Sequence, residues 1–345
     1  MSKNFKIDGR EIGDGVTPLV IAEIGINHEG DVSKCKQMID DAHKSGAECV
    51  KFQCHVIDDE MIPNDVIPPN ANESIWNMMK RCSLSEENEI SLKEYTENLG
   101  MVYLNTPFSR EAANRLNRIG VSAFKIGSGE CNNLPLISHI AGFGKPVILS
   151  TGMNNLKSIS ESVTILEKAR IDYAIMHVTS MYPTPYDKVR LSAITELKEK
   201  FPKIPIGLSD HSFGNYTCFG AVSLGASILE KHFTSDKNWP GPDIPISIDP
   251  KELRDLIIGS KAIFESLKGK KEFLDEEKPV ADFAFSSIVT IRDIERGEKF
   301  SEENIWVKRP GTGEIKSNDF EKIVNKKSKV NIKKNKQLQW DMIDE

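Results

Sequence analysis

Hydrophobic positions along the chain follow two rhythms. Short, nearly continuous apolar runs (PLVIAEIG, ECVKFQC, MVYLNTP, AFKIGSG, PVILSTG, YAIMHVTS, IPIGLSD and SILEKHFT) recur at intervals of about thirty residues. Runs of that length suit strands covered on both faces. Between them, segments such as VSKCKQMIDDAHKSG, EENEISLKEYTENLG and SISESVTILEKAR place apolar residues three and four apart and often end in Gly, the pattern of amphipathic helices. Eight strand-then-helix units mean parallel strands, because each crossover is long enough to hold a helix and return the chain in the same direction. The pattern predicts an α/β fold closing into a (β/α)8 TIM barrel. An open doubly wound sheet is the alternative, and its usual Gly-rich fingerprint is missing.

The rhythm changes after the long helical stretch DPKELRDLIIGSKAIFESLKG. A charged segment, KKEFLDEEKP, leads into short alternating runs broken by turn residues, from FAFSSIVTIRDIERG onward. We expect a barrel over 1–268, a linker over 269–282 and a small β-rich domain over 283–345. The basic KKSKVNIKKNK near the end has no interleaved aromatics and reads as a solvated face.

Composition narrows the partners. A length of 345 residues exceeds the roughly 250 typical of one barrel, in keeping with a second domain. With 39% hydrophobic and 28% charged residues the chain is that of a globular protein, and a net charge of −6 argues against nucleic acid. No apolar stretch approaches the ~20 residues of a bilayer span, and MSKNFKIDGREIGDG has no signal-peptide core, so a cytoplasmic protein with no membrane partner is expected. Six cysteines without a CxxC pair suit reduced, buried thiols.

Barrel enzymes carry their chemistry at the carboxyl ends of the strands. The eight ends offer, in turn, Glu23, Asn27 and His28; Lys51 and Gln53; Thr106; Lys125, Ser128 and Glu130; Ser150 and Thr151; Thr179, Ser180 and Tyr182; Ser209, Asp210 and His211; and Glu230 and His232. Polar residues at all eight ends read as one concave site. Two lysines converging with several hydroxyls suit a ligand bearing phosphate and carboxylate, although an ion pair inside the barrel is the bland alternative. His211 and His232, on neighbouring strand ends, suit a divalent Lewis acid such as Mn²⁺, Zn²⁺ or Fe²⁺, or else two hydrogen-bonded imidazoles. His28, His43, His55, His139 and His177 read as structural or exposed.

The ordered motifs EIGINHEG, KFQCHVIDDEM, TPFSREAA, FKIGSGECNNLPLI, ILSTGMN, YPTPYDKVRL, GLSDHS, LEKHFT, GPDI and KRPGTG closely resemble the N-acetylneuraminate (sialic acid) synthase family, from about residue 17 to beyond 313. The resemblance implies a barrel followed by an antifreeze-protein-like (SAF) domain in a domain-swapped homodimer. It implies condensation of phosphoenolpyruvate with N-acetylmannosamine and water to give sialic acid and phosphate. Carried over to matching positions, His211 and His232 would hold a divalent ion, Mn²⁺ first. Lys51, Thr106, Lys125, Ser128, Ser150, Ser180 and Ser209 would hold phosphoenolpyruvate. Glu23, Gln53, Asn70, Tyr182 and Asp243 would meet the sugar, and Arg309 would reach it from the partner subunit. Glu130 is the first candidate to activate the attacking water and Glu23 the second.

Two departures adjoin the substrate: Lys51-Phe52-Gln53-Cys54-His55 stands where relatives often have a KHQTH-like stretch, and Thr179-Ser180 where they have Thr-Asn. They leave open a sister nonulosonic acid synthase of the legionaminate type, using a 6-deoxy-diacetamido sugar. A metal-dependent pyruvate aldolase and a sugar-phosphate or ice-binding module are the rivals from other classes.

Overall fold

The computed structural model describes residues 3–344, which divide into two compact units at the junction of Lys268 and Gly269. The first unit opens with a hairpin that the apolar rhythm does not announce, β1 (Phe5–Ile7) and β2 (Arg10–Ile12). Asp8 and Gly9 turn it with φ of 48° and 79°, the left-handed pair that a two-residue hairpin turn requires.

Eight strands follow: β3 (Leu19–Gly25), β4 (Cys49–Cys54), β5 (Val102–Pro107), β6 (Phe124–Ile126), β7 (Val147–Ser150), β8 (Tyr173–Val178), β9 (Ile206–Asp210) and β10 (Ile228–His232). Each lies inside one of the eight apolar runs, and every pairing among them is parallel. The order is β5-β4-β3-β10-β9-β8-β7-β6, with β5 and β6 side by side at its two ends. This is a nearly closed, TIM-like barrel.

The crossover helices start where short polar residues precede the amphipathic runs. Asp31 caps Val32–Lys44, Asn155 and Ser158 form a reciprocal box on Leu156–Ala169, and Asp249 and Glu252 do the same for Pro250–Ser266. Each cap satisfies amide donors that the first helical turn leaves unpaired.

Because side chains alternate across a strand, the two faces of the sheet build two separate cores. Outward residues such as Val20, Val50, Phe52, Tyr103, Phe124 and Leu229 pack with the helices. Inward residues nearer the amino ends, including Leu19, Ile21, Leu104, Ile148, Met176 and Ile228, form an apolar floor that the hairpin's Phe5, Ile7 and Ile12 close off.

One charged pair interrupts the outer core. Lys231 Nζ lies 2.9 Å from Asp210 Oδ2, both side chains being almost wholly buried. Asp210 Oδ2 also accepts from Thr217 Oγ1 at 2.6 Å and from Ser212 Oγ at 3.0 Å, so the ions are hydrogen-bonded as well as paired. All six cysteines are free and buried, and burial pushes every thiol pKa up, to about 11 for Cys82 and Cys131.

The second unit pairs β11 (Ser287–Thr290) with β12 (Ile305–Lys308) antiparallel. Ile288, Ile294, Phe300, Ile305, Ile315, Ile323, Ile332, Leu338 and Ile343 make its core. Within 269–282 the chain forms a short 3-10 turn, Asp275–Glu277, and enters the helix Lys278–Ala284. Among the described residues, no helix is long and apolar enough to cross a membrane.

Candidate active site

A cavity of about 810 Å³ opens at the carboxyl ends of the barrel strands. The strand residues that line it sit two or four residues beyond the apolar floor on the same inward face: Ile21 leads to Glu23, Cys49 to Lys51 and Gln53, Leu104 to Thr106, Ile148 to Ser150, and Ile228 to Glu230 and His232. Strand alternation therefore sets the polarity of the mouth directly above the floor.

The buried charges form one network. Lys51 Nζ lies 2.8 Å from Glu23 Oε2 and 3.7 Å from Glu230 Oε1, and it donates to Thr106 Oγ1 at 3.0 Å. Lys125 Nζ donates to Ser150 Oγ at 2.6 Å and lies 3.6 Å from the same Glu230 Oε1. Ser209 Oγ donates to Glu230 Oε1 at 3.2 Å.

Burial opposes charge throughout this network, and the partners decide which groups keep it. For Lys51, burial lowers the pKa, but the two carboxylates outweigh it and the net shift is upward. Lys125 has less compensation, and burial brings it down to about 8. Burial also acts to raise Glu230, yet the two lysines hold it below the usual carboxylate range. Glu23 goes the other way: burial dominates and its pKa is raised.

The hydroxyls gather around a glycine. Gly152 N donates to Ser128 Oγ at 3.0 Å, and a Cβ built on Gly152 would stand 2.8 Å from that oxygen and closer still to Ser180 Oγ. Ser180 Oγ is buried without a hydrogen-bond partner. The Ser128 and Ser180 hydroxyls at the cavity wall, the second without a partner, stand in the same cavity as the two lysines and suit an anionic oxygen.

His211 and His232 face one another with ring centroids 5.5 Å apart, and Tyr182 stacks on His211 at 4.2 Å. The Thr179 carbonyl lies 2.9 Å from His211 Nδ1, which fixes the proton there and leaves the Nε2 lone pair free. The buried His232 Nδ1 has no hydrogen-bond partner, with Asp243 Oδ2 3.7 Å away. Burial lowers both imidazole pKa values, that of His232 to about 4, which keeps the rings neutral as metal ligation requires. The donor set fits a divalent ion held by two imidazoles, with the remaining positions left for water or substrate. Among the described residues no group of three or more His, Cys, Asp and Glu is arranged to ligate a metal by itself.

Asn70 also lines the cavity, its Nδ2 3.4 Å from Asp243 Oδ1. Asp243 stands behind Asn70 and His232 and does not itself line the cavity, and two further sequence candidates lie elsewhere. Glu130 does not line the cavity: it closes a 3-10 turn, Ser128–Glu130, and Asn133 Nδ2 donates to its carboxylate at 2.6 Å. Arg309 belongs to the second unit, where its guanidinium lies 5.7 Å from the centre of the Phe283 ring. Glu230, offered by the sequence at the eighth strand end but given no role there, is the carboxylate that bridges the lysines. Inward parity with His232, two residues on, is the signal that marks it.

The chain matches the NeuB family over residues 38–272 and the SAF domain over residues 285–344. It belongs to the NeuB family. Over 359 aligned residues it is 35% identical to the N,N'-diacetyllegionaminic acid synthase of Legionella pneumophila, covering 100% of both chains. It is 30% identical to the human N-acetylneuraminate-9-phosphate synthase, covering 97% of this chain and 95% of that one. The crystal structure of the N-acetylneuraminic acid synthetase of Leptospira borgpetersenii, in complex with citrate, superposes with a TM-score of 0.75 at 33% identity, over 81% of this chain and 95% of that chain. This NeuB-family protein is accordingly an enzyme of the phosphoenolpyruvate-condensing, nonulosonic acid synthase family.

Proposed function

We propose that the enzyme joins phosphoenolpyruvate to the open-chain aldehyde of an unphosphorylated N-acylated amino sugar, with N-acetylmannosamine giving N-acetylneuraminate and phosphate. The observation that carries this reading is the placement of Lys51, Lys125, Ser128 and Ser180 in the cavity that also holds the two facing imidazoles.

Lys51 and Lys125, with Thr106, Ser128, Ser150, Ser180 and Ser209, hold the phosphate and carboxylate of phosphoenolpyruvate. A divalent ion on His211 and His232, Mn²⁺ first, would supply Lewis acidity to the aldehyde. Asn70, Gln53, Tyr182 and Asp243 orient the sugar so that its aldehyde carbon meets C3 of the enolpyruvyl group. Bond formation leaves an alkoxide on the sugar and an oxocarbenium at C2. Water adds to C2 and passes a proton to the Glu23 carboxylate left once the alkoxide is protonated; the tetrahedral product then expels phosphate by C–O cleavage, and the C2 hydroxyl proton leaves with the phosphate as the ketone forms.

Glu23 is the carboxylate suited to the proton transfers, since its raised pKa lets it hold a proton and pass it to the new alkoxide. Glu230, kept ionised between the lysines, balances their charge instead. Glu130 is dropped from this role because Asn133 engages its carboxylate outside the cavity. Arg309 would act on the sugar from the partner in a domain-swapped, cytoplasmic homodimer.

A second reading of the sugar has its own support. Pro68, Pro69, Ile75, Met153 and Met181 give the cavity an apolar rim, and among the described residues Lys51 and Lys125 are its only lysines or arginines. Such a rim suits a 6-deoxy-diacetamido sugar, with a methyl and a second acetamido group, and offers nothing to a sugar phosphate.

The test is phosphate release from phosphoenolpyruvate with each sugar, with and without a chelator. Release that requires both sugar and metal supports the synthase, and the ratio of kcat/KM values assigns the sugar. Turnover of pyruvate with no phosphate released would replace it with an aldolase.

A further inference from the structure

Behind Gln53 stands a group that the proposed chemistry does not use. His55 follows it by two residues, just beyond β4, and is only 4% exposed. Its ring stacks on Phe108, centroids 4.7 Å apart and planes 12° from parallel. Both ring nitrogens are engaged: Nδ1 lies 2.8 Å from Glu60 Oε2, and Nε2 lies 3.2 Å from Gln53 Oε1. On its other side, Gln53 Nε2 donates to Glu23 Oε1 at 3.1 Å. A single chain therefore runs Glu60, His55, Gln53, Glu23 and on to Lys51.

With Glu23 ionised against Lys51, donor and acceptor counting sets the polarity of this chain. The Gln53 amino group meets the Glu23 carboxyl, so the amide oxygen meets His55, which must donate from Nε2. One proton then lies between Nδ1 and Glu60, whichever of the two atoms carries it. With Glu23 ionised against Lys51, turning the amide over would set its oxygen against a carboxylate oxygen and lose the Gln53–Glu23 hydrogen bond. An amide has two N–H bonds, and Glu23 takes one. Gln53 lines the cavity, so the second is available to a ligand there.

We infer that His55 is a positioning residue: held by Glu60 and by the Phe108 stack, it fixes the Gln53 side chain so that the site offers a bound sugar an N–H donor and not a carbonyl. Acceptance of the sugar then requires an acceptor oxygen, of a hydroxyl or an acyl group, at that point. The identity of the ligand as a sugar rests on the proposed function; the orientation of the amide does not.

The sequence contains four glutamines, Gln37, Gln53, Gln337 and Gln339, so side-chain ¹⁵N-glutamine labelling of the full chain yields a spectrum with few amide pairs. The pair lost in Gln53→Ala identifies Gln53. In His55→Phe, which retains the stack on Phe108, that pair should exchange its protons with water about three- to tenfold faster, as loss of one hydrogen bond implies. Glu60→Gln should shift the same pair, and His55→Gln, which restores a donor, should return it toward wild type. In turnover, His55→Phe should raise the sugar KM about three- to tenfold and leave the phosphoenolpyruvate KM unchanged, with no further rise in a Gln53→Ala background. An unchanged Gln53 pair in both His55→Phe and Glu60→Gln overturns the inference, as does an equal rise in both KM values. A wild type that turns over no sugar, but whose Gln53 pair responds as described, sinks the proposed function and leaves the orientation standing.

Discussion

The floor and the mouth of the barrel are made by the same strands on the same inward face, yet they are built to opposite rules. The floor is apolar: Ile21, Leu104, Ile148 and Ile228 cluster with the hairpin's Phe5, Ile7 and Ile12. Two residues further along, Glu23, Thr106, Ser150 and Glu230 surround water-accessible space. Closing the floor stabilises the fold through burial of apolar surface. Burying Lys51, Lys125, Glu23 and Glu230 works against stability unless each finds its partners, and all four do so within one network. The contrast shows that a two-residue step along a strand separates the part of the barrel that holds it together from the part that is charged for a ligand.

Substitutions should expose this division of labour. The largest effect is expected from Lys51→Met at the mouth. It removes a charge proposed to bind phosphate and leaves Glu23 and Glu230 short of a partner, so phosphate release should fall about 10²–10³-fold while circular dichroism remains that of a folded barrel. Activity within a few-fold of wild type would dissolve the contrast. Leu104→Ala on the floor should do the reverse, lowering unfolding free energy in urea by about 2–5 kcal/mol with kcat of the folded enzyme nearly unchanged. A fall in kcat without loss of stability would mean that the floor governs the chemistry.

The smallest effect sharpens the mouth itself. Lys125 is held at about 8, so it is charged below that pH and loses its proton as pH rises through it. The phosphoenolpyruvate KM should be flat on the acid side of neutrality and climb severalfold over the unit or so above 8, as a binding charge is lost. Bound substrate pulls the proton back, so kcat should respond less than KM. A KM that rises toward acid instead would assign the binding charge to another group.

How much of this was legible in the sequence follows the same contrast. The eight barrel strands were visible because parallel strands covered on both faces read as unbroken apolar runs, and the strand-end rule then led to the lysines and histidines. The hairpin was missed because FKI and REI are too short to show a period; the Asp8-Gly9 dipeptide between them was the only signal. Glu130 was read as part of the site because it follows a strand closely, but the chain enters a 3-10 turn at Ser128 and takes its carboxylate away to Asn133. Glu230 was passed over in favour of its histidine neighbour although both share the inward parity. Asn70 and Asp243 lie in loops, where no period exists to place them; only the resemblance pointed to them, and the structure brings them together at 3.4 Å. His55 was read as structural or exposed, since nothing in the sequence shows that its ring is sandwiched between a carboxylate and an amide.

The six sequestered thiols give the protein an internal gauge of its own opening. Each is shielded from solvent and pushed away from thiolate, so a thiol-specific dye at neutral pH will label only molecules in which the surrounding layer has come apart. Because Cys49 belongs to the floor cluster and Cys54 and Cys218 to the helix-facing one, mapping which of them is tagged first would tell whether the barrel gives way from inside or from its outer shell.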